Sequence, residues 1–312
     1  MFEIRRYTPE LADEWNQFVA ESKNGTFLFD RRYMDYHADR FNDHSLLFYI
    51  GNRLLAVLPA HASDNILYSH NGLTYGGLVM SSRLTVVQTM ILFRELNEQL
   101  RQEGFCHVCY KCIPWIYHRL SSDEDIYALF HECHARIVAR DFATNVFLSG
   151  EMRWERVRRR GVVRAQKAGV SVERSDNYAP FWDVLTKNLH TKYGVMPVHT
   201  LPEIELLHSR FPQNIQLYQA VKDGEVLGGV VLYVSHQVVH AQYSSATSVG
   251  KKLGVIDLLY DHIFSDYRNY PYFDFGRSTE HPDGSGLNEK LVFQKEGFGG
   301  RGLCYDIYEY DL

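Results

Sequence analysis

Two stretches of the chain gather residue types that could do chemistry, and two more invite a metal. The first is Tyr243-Ser244-Ser245-Ala246-Thr247-Ser248-Val249-Gly250-Lys251-Lys252-Leu253-Gly254, which links a strand-like run to an amphipathic helical run. A helix start offers unpaired N–H groups and a positive dipole end. Glycines let backbone approach a pyrophosphate closely, and two lysines add charge. Ser244, Ser245, Gly250, Lys251, Lys252 and Gly254 are therefore candidate contacts for a phosphate-bearing ligand. The second stretch runs from Tyr272-Phe273-Asp274-Phe275-Gly276-Arg277 through Gly284-Ser285-Gly286 to Lys290, Lys295 and Gly297-Phe298-Gly299-Gly300-Arg301. Polar groups at the end of an apolar strand, beside glycine-rich loops, suit the mouth of a site. The same residues would equally make a structural turn with Asp274 paired to Arg277.

Cys106, Cys109 and Cys112 suggest a metal or iron–sulfur cluster. In the strand Phe105–Ile113, however, Cys106 and Cys109 point to opposite faces, so the expectation is free thiols serving as small apolar groups and no metal. His131-Glu132-Cys133-His134 lacks the spacing that puts two imidazoles one helical turn apart. With Ile126, Phe130, Cys133 and Ile137 as an apolar stripe, it is expected on the polar side of a helix.

The elements that must position these groups come in a repeated order. In the first half a strand (2–7) precedes a helix from Pro9 with Thr8 as N-cap, then a hairpin at Gly51-Asn52 and a strand leading to Asn71–Gly77. A long helix follows, with Val86, Met90, Phe93 and Leu100 on one face and Ser82 as N-cap, and then the cysteine strand. In the second half a helix (178–193) precedes a hairpin at Asp223-Gly224, a strand (238–245) and the Gly/Lys stretch. A helix with Val255, Ile256, Leu259 and Ile263 on one face leads to the strand 272–275, a helix (287–295) and a closing strand. The shared order predicts a structural duplication: α/β, with mixed sheets in two domains, 1–150 and 151–312. The second opens with a basic helix over 151–169, and from Glu151 to Arg174 eight Arg or Lys stand against three Glu. There Trp154, Val157, Ala165 and Ala168 share one face, and Arg153, Arg156, Arg160, Arg164 and Lys167 another. That stripe is either a solvated face or a rail for a phosphate-rich ligand.

The chain has 312 residues and a formal net charge of −5, so DNA binding is not expected. No apolar run approaches the ~20 residues of a membrane span, and the N-terminus shows no apolar signal core, so the expected location is cytoplasmic.

Val226-Leu227-Gly228-Gly229-Val230-Val231, Tyr243-Ser244-Ser245-Ala246, Leu253-Gly254-Val255-Ile256-Asp257-Leu258-Leu259, Phe273-Asp274-Phe275-Gly276-Arg277 and Gln294-Lys295-Glu296-Gly297-Phe298-Gly299 together resemble the C-terminal part of the FemAB-like branch of the GNAT (acyl-CoA N-acyltransferase) superfamily. That branch includes the FemABX peptidyltransferases and the CelD/BioF-type acetyltransferase domains. The Arg-rich segment 158–171 resembles the helix that opens their second domain. The resemblance covers about half the chain well and the first half by element order. It implies tandem GNAT-like domains around a shared cleft, with the acyl donor held by the second and the acceptor reached from the first. Lys295 matches the Phe-Lys-x-x-Phe-Gly pattern of the peptidyltransferases, with Gln294 where they carry Phe. Gly250–Gly254 departs from the usual GNAT pyrophosphate loop.

The activity so implied is transfer of an acyl group from acetyl-CoA or another acyl-CoA to an amine of a sugar, amino acid or cell-wall precursor. The alternatives are an aminoacyl-tRNA-dependent peptidyltransferase, with tRNA as partner, and a non-catalytic binding protein. For the transfer, Asp274 is the expected base. Arg277 or Lys295, with backbone N–H groups near Ser244 and Ser245, would hold the oxyanion, and Tyr243 would protonate the leaving thiolate. His70, Asn71 and Tyr75, on a glycine-bearing stretch of the first half, are the expected acceptor contacts.

Overall fold

The computed structural model describes residues 1–312, the side chain of Tyr193 excepted. The chain forms two compact units. The first comprises Met1–Phe142, Thr279–Gly286 and Cys304–Leu312; the second comprises Ala143–Ser278 and Leu287–Leu303. Both are mixed α/β structures. Among the described residues no helix is long and apolar enough to cross a membrane.

The first unit runs β1 (Glu3–Arg6), α1 (Ala12–Glu21), a single-turn α2 (Arg31–Met34), β2 (Asn42–Asp43), β3 (Leu46–Ile50), β4 (Arg53–Leu58), β5 (His61–Ser63), β6 (Ile66–Tyr68), β7 (Val79–Met80), α3 (Val86–Gln102), β8 (His107–Lys111), α4 (Glu124–His131) and the start of β9 (Arg136–Phe147), which belongs to the second unit from Ala143 onward. The expected hairpin at Gly51-Asn52 is present, with Gly51 at φ 58°. Strands β1, β3, β4 and β7 form one antiparallel sheet, while β6 and β8 pair in parallel across α3. Helix α3 drives Leu92, Phe93, Leu96 and Leu100 into a core with Phe48, Leu58, Val108 and Tyr110.

Two local expectations fail here. Helix α3 is capped by Thr85, not Ser82, because Thr85 and Gln88 form a reciprocal capping box. Helix α4 stops at His131, and the chain then reverses at His134 in the left-handed region (φ 51°). Its buried side is therefore Asp125, Ala128 and Leu129; Phe130 is 64% exposed, and Ile137 lies in β9.

The second unit runs α5 (Arg156–Lys167), β10 (Ser171–Ser175), α6 (Ala179–Tyr193), α7 (Leu201–Arg210), β11 (Ile215–Lys222), β12 (Glu225–Val234), β13 (Val238–Ala246), α8 (Ser248–Leu253), α9 (Val255–Asp266), β14 (Tyr272–Arg277), α10 (Glu289–Glu296) and β15 (Arg301–Asp311), the last shared with the first unit. Its strand order is β10-β11-β12-β13-β14-β9. The β11–β12 turn has Asp223 and Gly224 both at positive φ, as a two-residue hairpin requires. One face of this sheet carries Val230, Leu232, Val239, Phe273 and Phe275 against Val255, Leu259 and Ile263 of α9. Tyr260, Phe264, Phe273, Phe275 and Phe298 meet mostly edge to face, at centroid distances of 4.9–6.5 Å. Such pairs add ~0.5–1.5 kcal/mol each beyond their burial, so they fix α9, β14 and the end of α10 against one another.

Helix α5 starts later than expected and is turned differently. Its inward side is Arg158, Gly161, Val162 and Ala165, whereas Val157 is exposed. The reason is close helix packing. A Cβ on Gly161 would lie 1.7 Å from Asp257 Oδ2, and one on Gly254 would lie 2.5 Å from the Gly161 carbonyl oxygen. The two glycines let α5 meet the α8–α9 junction, and Arg158 reaches Asp257 across it at 2.8 Å.

Candidate active site

The site begins where two strands part. Strands β13 and β14 pair in parallel at Val238↔Tyr272, Val239↔Phe273 and His240↔Asp274. Beyond that rung both continue, β13 to Ala246 and β14 to Arg277, with no further pairing between them. Between Ala241 and Tyr243 the β12–β13 register slips by one, making Gln242 a bulge. A cavity of about 800 Å³ opens here, with Ala241, Gln242, Ser244, Ser245 and Ala246 from β13, and Phe275 and Arg277 from β14. Asn188 and Lys192 of α6, Lys251 of α8, Tyr260 of α9, and Gln294 and Lys295 of α10 also line it. Gln242 Oε1 is buried without a hydrogen-bond partner.

Several expected residues are brought together on this wall. Ser244, Ser245, Lys251, Arg277 and Lys295 all line the cavity. Ser245 Oγ accepts from Asn188 Nδ2 at 2.7 Å, and the same nitrogen donates to the Ala246 carbonyl at 2.8 Å. Asn188 Oδ1 in turn accepts from Lys251 Nζ at 3.4 Å. Asn188 thus ties α6, β13 and α8 around the opening. Sequence reasoning read it only as part of a helix, and nothing in its local pattern distinguishes it.

Lys295 is buried, and its three N–H groups are all in use: Nζ donates to the carbonyls of Gly276 and Arg277 and to Ser278 Oγ, each at 2.8 Å. Burial pulls its ammonium down to about 8, with Asp274 acting in the opposite direction. In this arrangement Lys295 fastens the end of β14 and has no proton left over for an oxyanion. Tyr243 is engaged elsewhere. Its phenol lies 2.6 Å from His199 Nδ1, and burial pushes it up to about 12, so it stays protonated at neutral pH.

The phosphate-turn expectation changes most. Residues 250–253 are helix, not loop. Thr247 caps α8, taking the Gly250 N–H on its hydroxyl and the Lys251 N–H on its carbonyl; the Gly254 N–H goes to the Gly250 carbonyl. Those N–H groups are therefore not open to a ligand. The helix starts at Ser248 because the Thr247 hydroxyl and carbonyl take two of the N–H groups of its first turn. Gly250 is needed for packing, since a Cβ there would lie 2.4 Å from the Leu227 carbonyl oxygen. Gly254, at φ 86°, serves the contact with Gly161. Lys252 is exposed and is not among the lining residues.

In the first unit, His70, Asn71 and Tyr75 are not presented alike. Tyr75 is interior, its hydroxyl donating to Thr26 Oγ1 at 3.1 Å and its ring 4.5 Å from that of Tyr117. His70 is also buried, at φ 63°, within 5.5 Å of the rings of His37, Phe41 and His61. Burial lowers its imidazole to about 2. Asn71 alone of the three is exposed.

Residues 151–282 match the acetyltransferase (GNAT) domain family. No curated protein matches the chain in sequence. In three dimensions the chain is similar to FemX, with a TM-score of 0.70 at 12% identity over 99% of this chain and 97% of that one. It is similar to L-PGS from Bacillus licheniformis, with a TM-score of 0.61 at 13% identity, covering 98% and 92%. It also resembles a tandem GNAT protein from the clavulanic acid biosynthesis pathway, with a TM-score of 0.52 at 12% identity, covering 100% and 98%. At these identities the likeness establishes fold. The second half of the chain thus carries a match to the GNAT acetyltransferase domain family, and the chain as a whole has a tandem GNAT-like fold similar to that of FemX.

Proposed function

We propose that the protein transfers an acyl group from an acyl-CoA thioester to a primary amine on a sugar, an amino acid or a cell-envelope precursor. The observation that carries this reading is the parting of β13 and β14 after three parallel rungs, with the cavity opening at that point. A linear acyl donor can lie between the two strands with its carbonyl at the edge of β13. The bulge at Gln242 leaves a peptide out of the ladder there, and Gln242 Oε1 is a buried acceptor in want of an N–H, such as the amides of a pantetheine arm. Lys251 and Lys192 bring positive charge to the wall for the donor's phosphates. Arg277, at the end of β14, lines the same cavity, and in this reading it faces charge that develops on the thioester oxygen.

Calorimetric titration with acetyl-CoA and CoA tests this. The expected result is binding of both, with thermal stabilisation that approaches ~2.7 kcal/mol at 100 times the dissociation constant. A protein that binds neither, nor any longer acyl-CoA, does not work this way.

A second reading has its own support. Arg156, Arg159, Arg160, Arg164 and Lys167 are exposed along α5. A basic helix face of that length suits a nucleic-acid backbone, which would make the donor an aminoacyl-tRNA and the reaction aminoacyl transfer. Binding of aminoacyl-tRNA that weakens steeply with salt, in a protein indifferent to CoA, would select this reading.

A further inference from the structure

Asp274 cannot meet a substrate directly. Its side chain is 0% exposed, Oδ2 lies 2.8 Å from His240 Nδ1, and Oδ1 accepts the Gly276 N–H at 2.8 Å. A carboxylate held this way can orient a partner, and the partner is His240.

Three features fix the position of that imidazole. His240 sits opposite Asp274 on the last parallel rung before β13 and β14 separate. Its chain neighbours Ala241 and Gln242, and Phe275 and Arg277 beyond Asp274, line the cavity. The register (Tyr233↔His240, Val231↔Tyr243) places it on the sheet face shared with Tyr243, where Trp182 of α6 packs, and away from the α9 face. Finally, Gly276 at φ 69° brings its backbone over the ring edge: a Cβ there would lie 3.0 Å from His240 Cε1. The ring is thus gripped by Asp274 on one side and Gly276 on another. Its side chain keeps 10% exposure, whereas that of Asp274 has none. With Nδ1–H given to the carboxylate, the lone pair sits on Nε2.

We propose that His240 is the general base of the acyl transfer and Asp274 its positioning residue. The proposal rests on the acyl-transfer reading above. In the step, the amine nitrogen's lone pair forms the C–N bond while the carbonyl electron pair moves onto oxygen. One amine proton passes to His240 Nε2. The oxyanion then re-forms the carbonyl, the C–S bond breaks, and the departing thiolate takes the proton from the imidazolium. This arrangement is a carboxylate–imidazole pair acting on an amine, with no covalent enzyme intermediate.

The test follows thiol release from acetyl-CoA with a panel of amino sugars and amino acids between pH 5.5 and 9. It compares the wild type with His240→Asn, His240→Gln and Asp274→Asn, each first checked for a cooperative melt. His240→Asn keeps an N–H toward Asp274 and so preserves that contact. The expected result is a loss of kcat of ~10²-fold or more in both His240 variants, the usual yield of a positioned base. Their acetyl-CoA affinity should stay within about twofold of the wild type, and the acid limb of the wild-type pH–rate profile should vanish. Asp274→Asn should lose rate but keep an acid limb. Wild-type kcat with an unchanged acid limb in His240→Asn overturns the proposal. So does a loss of acetyl-CoA affinity equal to the loss of rate, since that marks a purely structural histidine. If the wild type releases no thiol with any amine, the acyl-transfer reading itself fails, an outcome separate from failure of the variants alone.

Discussion

Gly254→Ala separates a structural glycine from a ligand-binding one. Gly254 sits at φ 86° between α8 and α9, and a methyl there would lie 2.5 Å from the Gly161 carbonyl oxygen and 2.8 Å from its Cα. The left-handed conformation costs a non-glycine residue ~1–2 kcal/mol. Forcing a methyl against backbone in a packed interface adds ~1–3 kcal/mol. The expected loss of stability is therefore roughly 2–5 kcal/mol. An internal control isolates the two contributions. Gly194, which ends α6 at φ 69°, has nothing within 4 Å of its would-be Cβ, so Gly194→Ala should show the conformational cost alone. The assay is urea unfolding of both variants followed by circular dichroism, with the slope checked for constancy. Acetyl-CoA titration of each is run at a temperature where it is folded. The reasoning fails if Gly254→Ala costs no more than Gly194→Ala, or if it stays within 1 kcal/mol of wild type while donor affinity collapses. The second result would mean that the backbone at Gly254 touches the ligand after all.

Other expectations divide site from scaffold in the same way. Lys251 lines the cavity and Lys252 does not, so Lys251→Ala should weaken acetyl-CoA binding by about 1 kcal/mol, roughly fivefold, and Lys252→Ala by less than twofold; calorimetry at two salt concentrations decides it. Asp257→Ala should cost ~3–5 kcal/mol in urea unfolding by stranding the Arg158 guanidinium, and the double change Arg158→Met with Asp257→Leu should recover most of that loss; equal instability of the single and double variants would count against it. Asp125 is buried against the Tyr110 hydroxyl at 2.5 Å, and burial raises its carboxyl to about 7, well above its value in the unfolded chain. The folded state then holds a proton that the unfolded state has released, so this group's stabilising contribution is full below pH ~4 and is lost as pH rises through 7. Asp125→Asn should flatten the stability–pH curve by a few kcal/mol across that interval, and an unchanged curve would refute the assignment.

The elements with a strong period or a defined turn were legible in the sequence. Asp223-Gly224 gave the β11–β12 hairpin, and Val255, Leu259 and Ile263 gave the buried side of α9. Elements whose partners decide their conformation were not. Strand β9 carries charges at Arg136, Arg140 and Asp141 that mask its alternation, yet one end pairs with β14, and Arg140 finds Asp306 at 2.7 Å. Strand β10, Ser171–Ser175, is an edge strand with almost no apolar signal. Helix α7 carries a local signal in the sequence, since Thr200 and Glu203 form a capping box with Pro202 in the first turn.

The site divides along the same line. Asp274 could be picked out as a polar residue near the end of an apolar strand, and Lys295 by its match to the peptidyltransferase pattern, but their roles depend on what they touch. Three acceptors at 2.8 Å occupy the ammonium of Lys295, and the carboxylate of Asp274 lies against His240 Nδ1 and the Gly276 N–H. His240 shows why such roles escape a one-dimensional reading. In the run Val238-Val239-His240-Ala241-Gln242-Tyr243 it is one polar residue in a strand, and alternation puts it on the less apolar face with no reason to single it out. Only the parallel pairing brings it opposite a residue 34 positions away. The pairing ends at that rung, and the cavity opens beside it, at Ala241 and Gln242. The point where this ladder stops is thus specified through packing on both faces of the sheet, not through any motif beside it.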